Sequence, residues 1–385
     1  MNWLERSGLR TRPAQSWGSV RLVPLVRDEP IPGLRLDRRV YGDEPSVVAV
    51  GDGTGYVSYI PHAFVAVWSD GEGPAASYGT RLLDKDDRGM APPSMPIRVR
   101  RRMARRVAKD RLRFLPLHMA IEGYLALHFR GPEIAWAEWS RRALAHGLSP
   151  RCEETYSGAR VRGLEDALRI FEAHPDQCGV LVYVADALAS AFVVPHPDDY
   201  RALHATLVED LFGEIVYQYA LLTLGTLDLG VPLEDASVRS LGDLRAAAAR
   251  ARTEWAGFHD EHMAGGLVQD GESHETVQHL RGFELSRSLP PFALHRENHI
   301  RESITGEDGR VAYLKSFRLS EAQIRRGHLL TRLAAHEWHL AATAGALGIG
   351  EGALGLRLER AGFGHLLRQD VLDHYRAEAR REPVT

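Results

Sequence analysis

The stretch Leu333 to Phe363, reading LAAHEWHLAATAGALGIGEGALGLRLERAGF, constrains the fold more than any other part of the chain. Leu340, Ala344 and Leu347 recur at helical spacing, as do Leu354 and Leu358, and Gly348, Ile349 and Gly350 stand between the two runs. Apolar residues three and four apart mark one face of a helix, so the segment reads as two helices joined by a glycine turn. Gly348 supplies the turn and Ile349 plugs the angle between the helices, while Ala341, Ala342 and Ala344 allow close approach. A helix-turn-helix follows from pattern alone. With Leu354 and Leu358 inward, a rotation of about 100° per residue puts Gly352, Gly355, Leu356, Glu359 and Arg360 on the outward face of the second helix.

This segment, from Arg325 to Arg368, resembles without gaps the C-terminal DNA-binding module of Fis and of the enhancer-binding transcription activators. The family's alanine pair, LGI turn, recognition-helix leucines and final glycine stand here as Thr343 and Ala344, Leu347 to Ile349, Leu354 and Leu358, and Gly362. The resemblance implies a recognition helix that opens on a polar pair and carries donors outward, because base edges and phosphates must be met by donors. Here the pair is Gly350 and Glu351. A carboxylate at a helix N-terminus repels the phosphate that this end would otherwise attract.

The expectation is therefore a degenerate module used mainly for protein contacts, with Leu356 touching either the body of the same chain or a partner. Arg325, Arg326, Arg332, Arg357, Arg360 and Arg368 keep double-stranded DNA open as an alternative, the more so in a homodimer. Together with Glu351 and Leu356 they form the candidate partner- or DNA-binding set.

Ahead of this module the sequence reads as an α+β body over residues 1–250, followed by a polar linker with a β-hairpin over 251–318 and the all-α module over 319–385. Val20 to Val26, Ser46 to Val50, Tyr56 to Ile60 and Ala63 to Trp68 are β-rich runs between Gly, Pro and Asp clusters and suggest one small antiparallel sheet. Asp70 to Pro96 reads as a long loop. Gly179 to Val184 and Ala187 to Val194 read as buried strands joined at Asp186, with a helix from Asp198 to Thr223 behind them. Leu241 to Trp255 reads as a helix, and Gly257 to Ser288 turns polar and His-rich. Asp308 and Gly309 mark a hairpin between Ile300 to Ile304 and Val311 to Phe317, and Ser320 suits an N-cap.

Two body segments, Leu115 to Arg151 and Leu164 to Ala220, resemble bacterial proteins of the ADP-ribosylglycohydrolase and rhodanese-phosphatase associated group. The second carries Gln177 and Gly179 at its strand start and Pro197 to Tyr200 at its helix start. The resemblance implies operons that handle ADP-ribose or phosphorylated nucleotides, and so a third reading, a sensor or enzyme for a nucleotide-like ligand. Glu122, Trp136, Glu138, Trp139 and Arg141 are the ligand candidates, since Trp136 and Trp139 three apart make either an aromatic wall beside a carboxylate or a pair of core side chains.

Arg98 to Arg113 reads as a basic amphipathic helix carrying Arg98, Arg100, Arg101, Arg102, Arg105, Arg106 and Lys109, fit either for a polyanion or for acidic patches of the body itself. His259 and His262, near His274 and His279, are spaced too loosely to specify a metal, and no cofactor is expected. Cys178 opens an apolar strand and reads as an inert thiol.

The formal net charge of −3 over 385 residues gives the chain no global field toward nucleic acid or anionic membrane, so any such binding must be local. Two cysteines, Cys152 and Cys178, make no disulfide framework, and the N-terminus lacks a secretion-type apolar run. A cytoplasmic regulatory or adaptor protein, with no membrane partner, is the reading that results.

Overall fold

The computed structural model of the chain describes residues 3–34, 169–207, 238–267 and 272–381, with short segments between 47 and 125. After a helical turn α1 (Trp3–Arg6) come β1 (Leu9–Thr11), β2 (Gln15–Trp17) and β3 (Val20–Arg27). The run VRLVPLVR in β3 is buried along its whole length, as expected of an aliphatic, β-branched segment covered on both faces.

Short strands β4 (Val47–Ala49), β5 (Gly55–Ser58), β6 (Phe64–Val67), β7 (Ala75–Tyr78), β8 (Thr80–Leu83), β9 (Ser94–Pro96) and β10 (Arg113–Phe114) follow. Then come β11 (Gln177–Val184), β12 (Ala187–Val193), α2 (Pro197–Thr206) and α3 (Leu241–Phe258), and β13 (Ser273–Leu280), β14 (Phe283–Leu289), β15 (His299–Gly306) and β16 (Val311–Arg318). Four helices close the chain, α4 (Glu321–Ala335), α5 (Leu340–Ala346), α6 (Glu351–Arg360) and α7 (Gln369–Ala379). Among the described residues no helix is long and apolar enough to cross a membrane.

The architecture is mixed helix and strand around a nine-stranded antiparallel sheet in the order β1-β3-β11-β12-β16-β15-β14-β13, with β2 also paired to β3. The β11–β12 and β13–β14 hairpins are tight because their connecting residues accept left-handed backbone. Ala185 and Asp186 stand at φ 48° and 62°, and Arg281 and Gly282 at 45° and 81°, the two-residue geometry whose twist matches that of the strands. Arg27 on β3 donates to the carbonyls of Val311 and Ala312 on β16 and to that of Ser7. In a flat sheet β3 and β16 would lie about 14 Å apart, at about 4.8 Å per strand, so this contact requires the sheet to curl.

Inside the curl one apolar cluster joins Leu4, Leu9, Val23, Leu25, Leu181, Tyr183, Ala191, Val193 and Leu314 with Met263, Ala264 and Leu267 from the turns after α3. A second cluster, Leu329, Leu330, Leu333, Ala344, Leu354, Leu358 and Phe363, holds the C-terminal helices together.

Several expectations change. The small sheet expected from Val20 to Trp68 is divided: β3 belongs to the large sheet, β4 pairs with β5, which pairs with β8, and β6 lies between β10 and β7. Residues 70–96, expected as a loop, carry β7, β8 and β9, whose four- or three-residue lengths leave no readable periodicity. Residues 251–318 are not a polar linker. They hold the end of α3 and four strands, and β16 pairs with β12 at the middle of the sheet. The polarity that suggested a linker reflects an edge position, since most side chains of β13 are exposed. That edge is tied down by Gln278, which accepts from the Leu82 N–H at 3.0 Å and donates to the Leu82 carbonyl at 2.7 Å.

Candidate partner-binding cleft

The helices around the cleft start from a local signal. Ser320 Oγ accepts from the Gln323 N–H at 3.3 Å and Gln323 Oε1 accepts from the Ser320 N–H at 2.8 Å, a reciprocal cap that fixes where α4 begins. One turn further on, Gly327 is the only kind of residue that fits, because a Cβ there would lie 2.1 Å from the ring of Phe292. Phe292 sits in the loop between β14 and β15 at φ 49°, fully enclosed, and its carbonyl meets His328 Nδ1 at 3.2 Å.

Asn298 organises that loop. Its Oδ1 accepts from the Ala293 N–H at 3.1 Å and its Nδ2 donates to the Ala293 and Arg296 carbonyls, both at 2.9 Å. The sheet is thereby joined to α4 and Leu294 is placed beside the helix.

Between α5 and α6 the chain turns at Gly348, φ 65°, and the Ile349 N–H donates to the Ala344 carbonyl at 3.0 Å. Ile349 packs on the module's core, and Leu354 and Leu358 point into it. The pattern LGIG thus sets the crossing of α5 and α6, which leaves the C-terminal half of α6 facing the start of α4.

The result is a cleft of about 940 Å³ lined by Leu294, Ala322, Arg325, Arg326, His328, Leu329, Leu347, Arg357, Arg360, Ala361 and Gly362. Among the described residues no acidic side chain lines it. Arg325 pairs with Glu321 at 3.0 Å on the exposed face of α4, an interaction that contributes little in water. Arg326 Nε donates to the Ala322 carbonyl at 3.2 Å. Arg357 and Arg360 are exposed and form no ion pair with a described residue. Their position in the last turns of α6 suits the helix dipole, and Arg360 adds to the positive field that holds Glu359 ionised.

The opposite face of α6 differs from the expectation. Gly352, Gly355 and Glu359, expected to look outward, lie under α7. A Cβ on Gly355 would come within 2.5 Å of the Tyr375 ring, and one on Gly352 within 3.4 Å of it. Arg376 donates from Nε to Glu359 Oε1 at 3.0 Å and also binds it through a terminal nitrogen, holding the Glu359 carboxyl below the usual carboxylate range. The glycines that deprive this face of donors provide the flat seat on which Tyr375 rests. Leu356 is half-buried, and of the five outward positions Arg360 alone is classed as exposed.

Of the remaining expected binding residues, Arg332 is exposed on α4, Glu351 is exposed as the first residue of α6, and Arg368 is paired with Asp370 at 2.7 Å ahead of α7. The apolar part of the cleft was not anticipated. Leu329 could have been read from the amphipathic face of α4, whereas Leu294 carries no periodic signal, being placed by Phe292 and Asn298.

A second constellation lies in the body. α3 runs into a π-helical turn at His259–Met263, and His259 is fully enclosed there. Its Nδ1 lies 2.9 Å from Asp260 Oδ1 and its Nε2 2.6 Å from the Tyr183 hydroxyl, with the Trp255 ring stacked at 5.0 Å. Burial, and after it the Asp260 charge, push the Tyr183 hydroxyl well above its ordinary range, so it stays protonated and donates to Nε2 while Nδ1–H donates to Asp260. The chain of bonds staples the turn to β11.

The four histidines do not converge. His274 Nδ1 meets Ser288 Oγ at 2.8 Å and His279 lies 3.5 Å from Glu284, while His262 packs on Phe258. Among the described residues no group of three or more His, Cys, Asp or Glu could hold a metal ion. Cys178 is enclosed and burial pushes its thiol up to about 11, which makes it unreactive.

The basic stretch Arg98, Arg100, Arg101, Arg102, Arg105, Arg106 and Lys109 lies outside the described residues, although Arg113, expected as the end of its helix, is in β10. Glu122, Trp136, Glu138, Trp139 and Arg141 also lie outside them.

A family model described as ARPP-2 matches residues 4–281. No curated protein and no solved structure matches the chain.

Proposed function

We propose, from the premise that the chain belongs to the ARPP-2 family, that it is a cytoplasmic regulatory adaptor whose C-terminal helices are a degenerate Fis-type helix-turn-helix used for protein contacts. The matched residues end at 281, ahead of α4 to α7, so the adaptor role is assigned to a module that follows the family region. One observation carries the reading. α7 lies over the face of α6 that would have to enter a DNA groove, with Tyr375 on Gly355 and Arg376 on Glu359. The face of the helix covered in this way has neither the exposed surface nor the donors that base reading needs.

The test is fluorescence anisotropy of labelled duplex DNA with the full-length protein at about 50 and 200 mM salt. An adaptor shows no binding that falls steeply with salt, whereas a protein that neutralises several phosphates loses affinity by orders of magnitude over that range. Tight, salt-sensitive binding that vanishes in Arg357→Glu/Arg360→Glu would establish a DNA reader instead.

A further inference from the structure

We infer that the cleft between α4 and α6 receives an acidic amphipathic segment of a partner protein, with carboxylates on the arginine rim and apolar side chains on the leucine floor. The inference rests on the adaptor reading and supplies the chemistry of the partner. The whole chain carries a formal charge of −3, yet this cleft gathers Arg325, Arg326, Arg357 and Arg360 with no acid among its described lining residues. An excess of charge of one sign lining a concave site attracts a ligand of the other.

The kind of cation matters too. A guanidinium presents a planar fork that matches a carboxylate in two parallel hydrogen bonds and loses less on leaving water than an ammonium does. Arg357 and Arg360 have no described ion pair to give up, and Arg325 exchanges only a solvent-exposed pair with Glu321.

The floor distinguishes a peptide from a nucleic acid. Leu294, Leu329 and Leu347 line the cleft between the arginines, and Leu294 remains 41% exposed, an apolar surface that a phosphate backbone would leave unmatched. At about 940 Å³ the space suits a few side chains projecting from one face of a bound segment, not the convex surface of a duplex. A helix that alternates carboxylates and leucines at spacings of three and four meets both surfaces at once, the helix-in-groove mode of recognition. The walls are set beforehand by the Ser320 cap and by the Phe292 ring against Gly327, so little ordering is needed on binding.

The experiment titrates full-length protein against a fluorescein-labelled peptide with Glu and Leu at helical spacing, and against the same peptide with Gln in place of Glu. The Glu peptide is expected to bind, and the Gln peptide and the Arg357→Glu/Arg360→Glu protein to lose at least about tenfold in affinity, with the loss smaller in Arg357→Ala/Arg360→Ala. Thermal melting of both variants checks that the module is intact, which their exposed positions favour.

Equal affinity for the two peptides, unchanged affinity in the variants, or no binding of the Glu peptide overturns the inference. The duplex DNA titration separates that failure from failure of the adaptor reading. A protein that binds neither peptide nor duplex loses only the acidic-segment inference, whereas salt-sensitive duplex binding abolished in Arg357→Glu/Arg360→Glu removes both.

Discussion

His299 shows what enclosure does to one side chain. It opens β15 opposite Arg318, and neither ring nitrogen has a hydrogen-bond partner among the described residues. Burial, reinforced by Arg318 and Arg301, pushes its pKa down to about 3, so the folded protein holds it neutral. In the unfolded chain the same imidazole titrates near about 6.5. Below that pH the unfolded state takes up a proton that the fold refuses, so stability falls as pH drops from about 6.5 toward 3 and is unaffected above it. The loss by about pH 5 is roughly 2 kcal/mol. Urea midpoints at about pH 7 and 5 should fall further for the native protein than for His299→Leu, and an equal fall in both would remove His299 as the source. Glu359 has the same sign in a lower pH window. Its carboxyl is depressed by Arg376, so its contribution is complete above about pH 4.3 and is lost only as pH falls through the lower folded value. Cys178 was readable as inert from its place in an apolar strand. His299 was not readable, because the alternation of HIRESITG puts His299 and Arg301 on a nominally polar face that the curled sheet encloses.

The glycines of the C-terminal helices separate two effects at the scale of the element. Gly345 in α5 is exposed with no atom within 4 Å of an added Cβ, so Gly345→Ala should stabilise by roughly 0.5–1 kcal/mol through backbone entropy alone. Gly327 in α4 would make the same gain, but its Cβ would meet the enclosed Phe292 ring at 2.1 Å. Gly327→Ala should therefore be net destabilising by about 1–3 kcal/mol, because the loop between β14 and β15 must move to relieve the overlap. Urea unfolding of the two variants checks the contrast. A Gly327→Ala protein as stable as Gly345→Ala would mean that Phe292 does not fix the loop to α4. Elements with a punctuated pattern were legible from sequence: the Asp308–Gly309 hairpin, the Ser320 cap, α3, and the glycine turn at Gly348. β13 was not, because an edge strand has no buried face to generate alternation. α7 was not either, because Val371, Leu372 and Tyr375 are scattered among charged residues and acquire meaning only against the glycine face of α6.

At the scale of the molecule, chain order and spatial order diverge, and that is why a body ending near residue 250 was the wrong division. β11 and β12 find their next neighbour in β16, more than a hundred residues on, while β13 reaches the rest of the sheet only through β14 and β15. Contacts of that separation leave no local trace, since each strand carries only its own hydrophobicity and not the identity of its partner. A chain cut after Arg281 would keep β13 without its partner β14 and leave β12 with an unpaired edge. It would also lose Leu285, Ile300, Ile304, Tyr313, Leu314 and Phe317 from the core. A chain cut after Arg318 keeps all nine strands and loses only α4 to α7 with their separate core. The longer fragment should melt cooperatively, at a temperature lowered by exposure of Phe292, and the shorter one should show no cooperative transition. Circular dichroism melting of both decides the matter. A native-like transition in the shorter fragment would mean that β3, β11 and β12 make a stable sheet without β16, and that the C-terminal strands are an addition to the fold and not its closure.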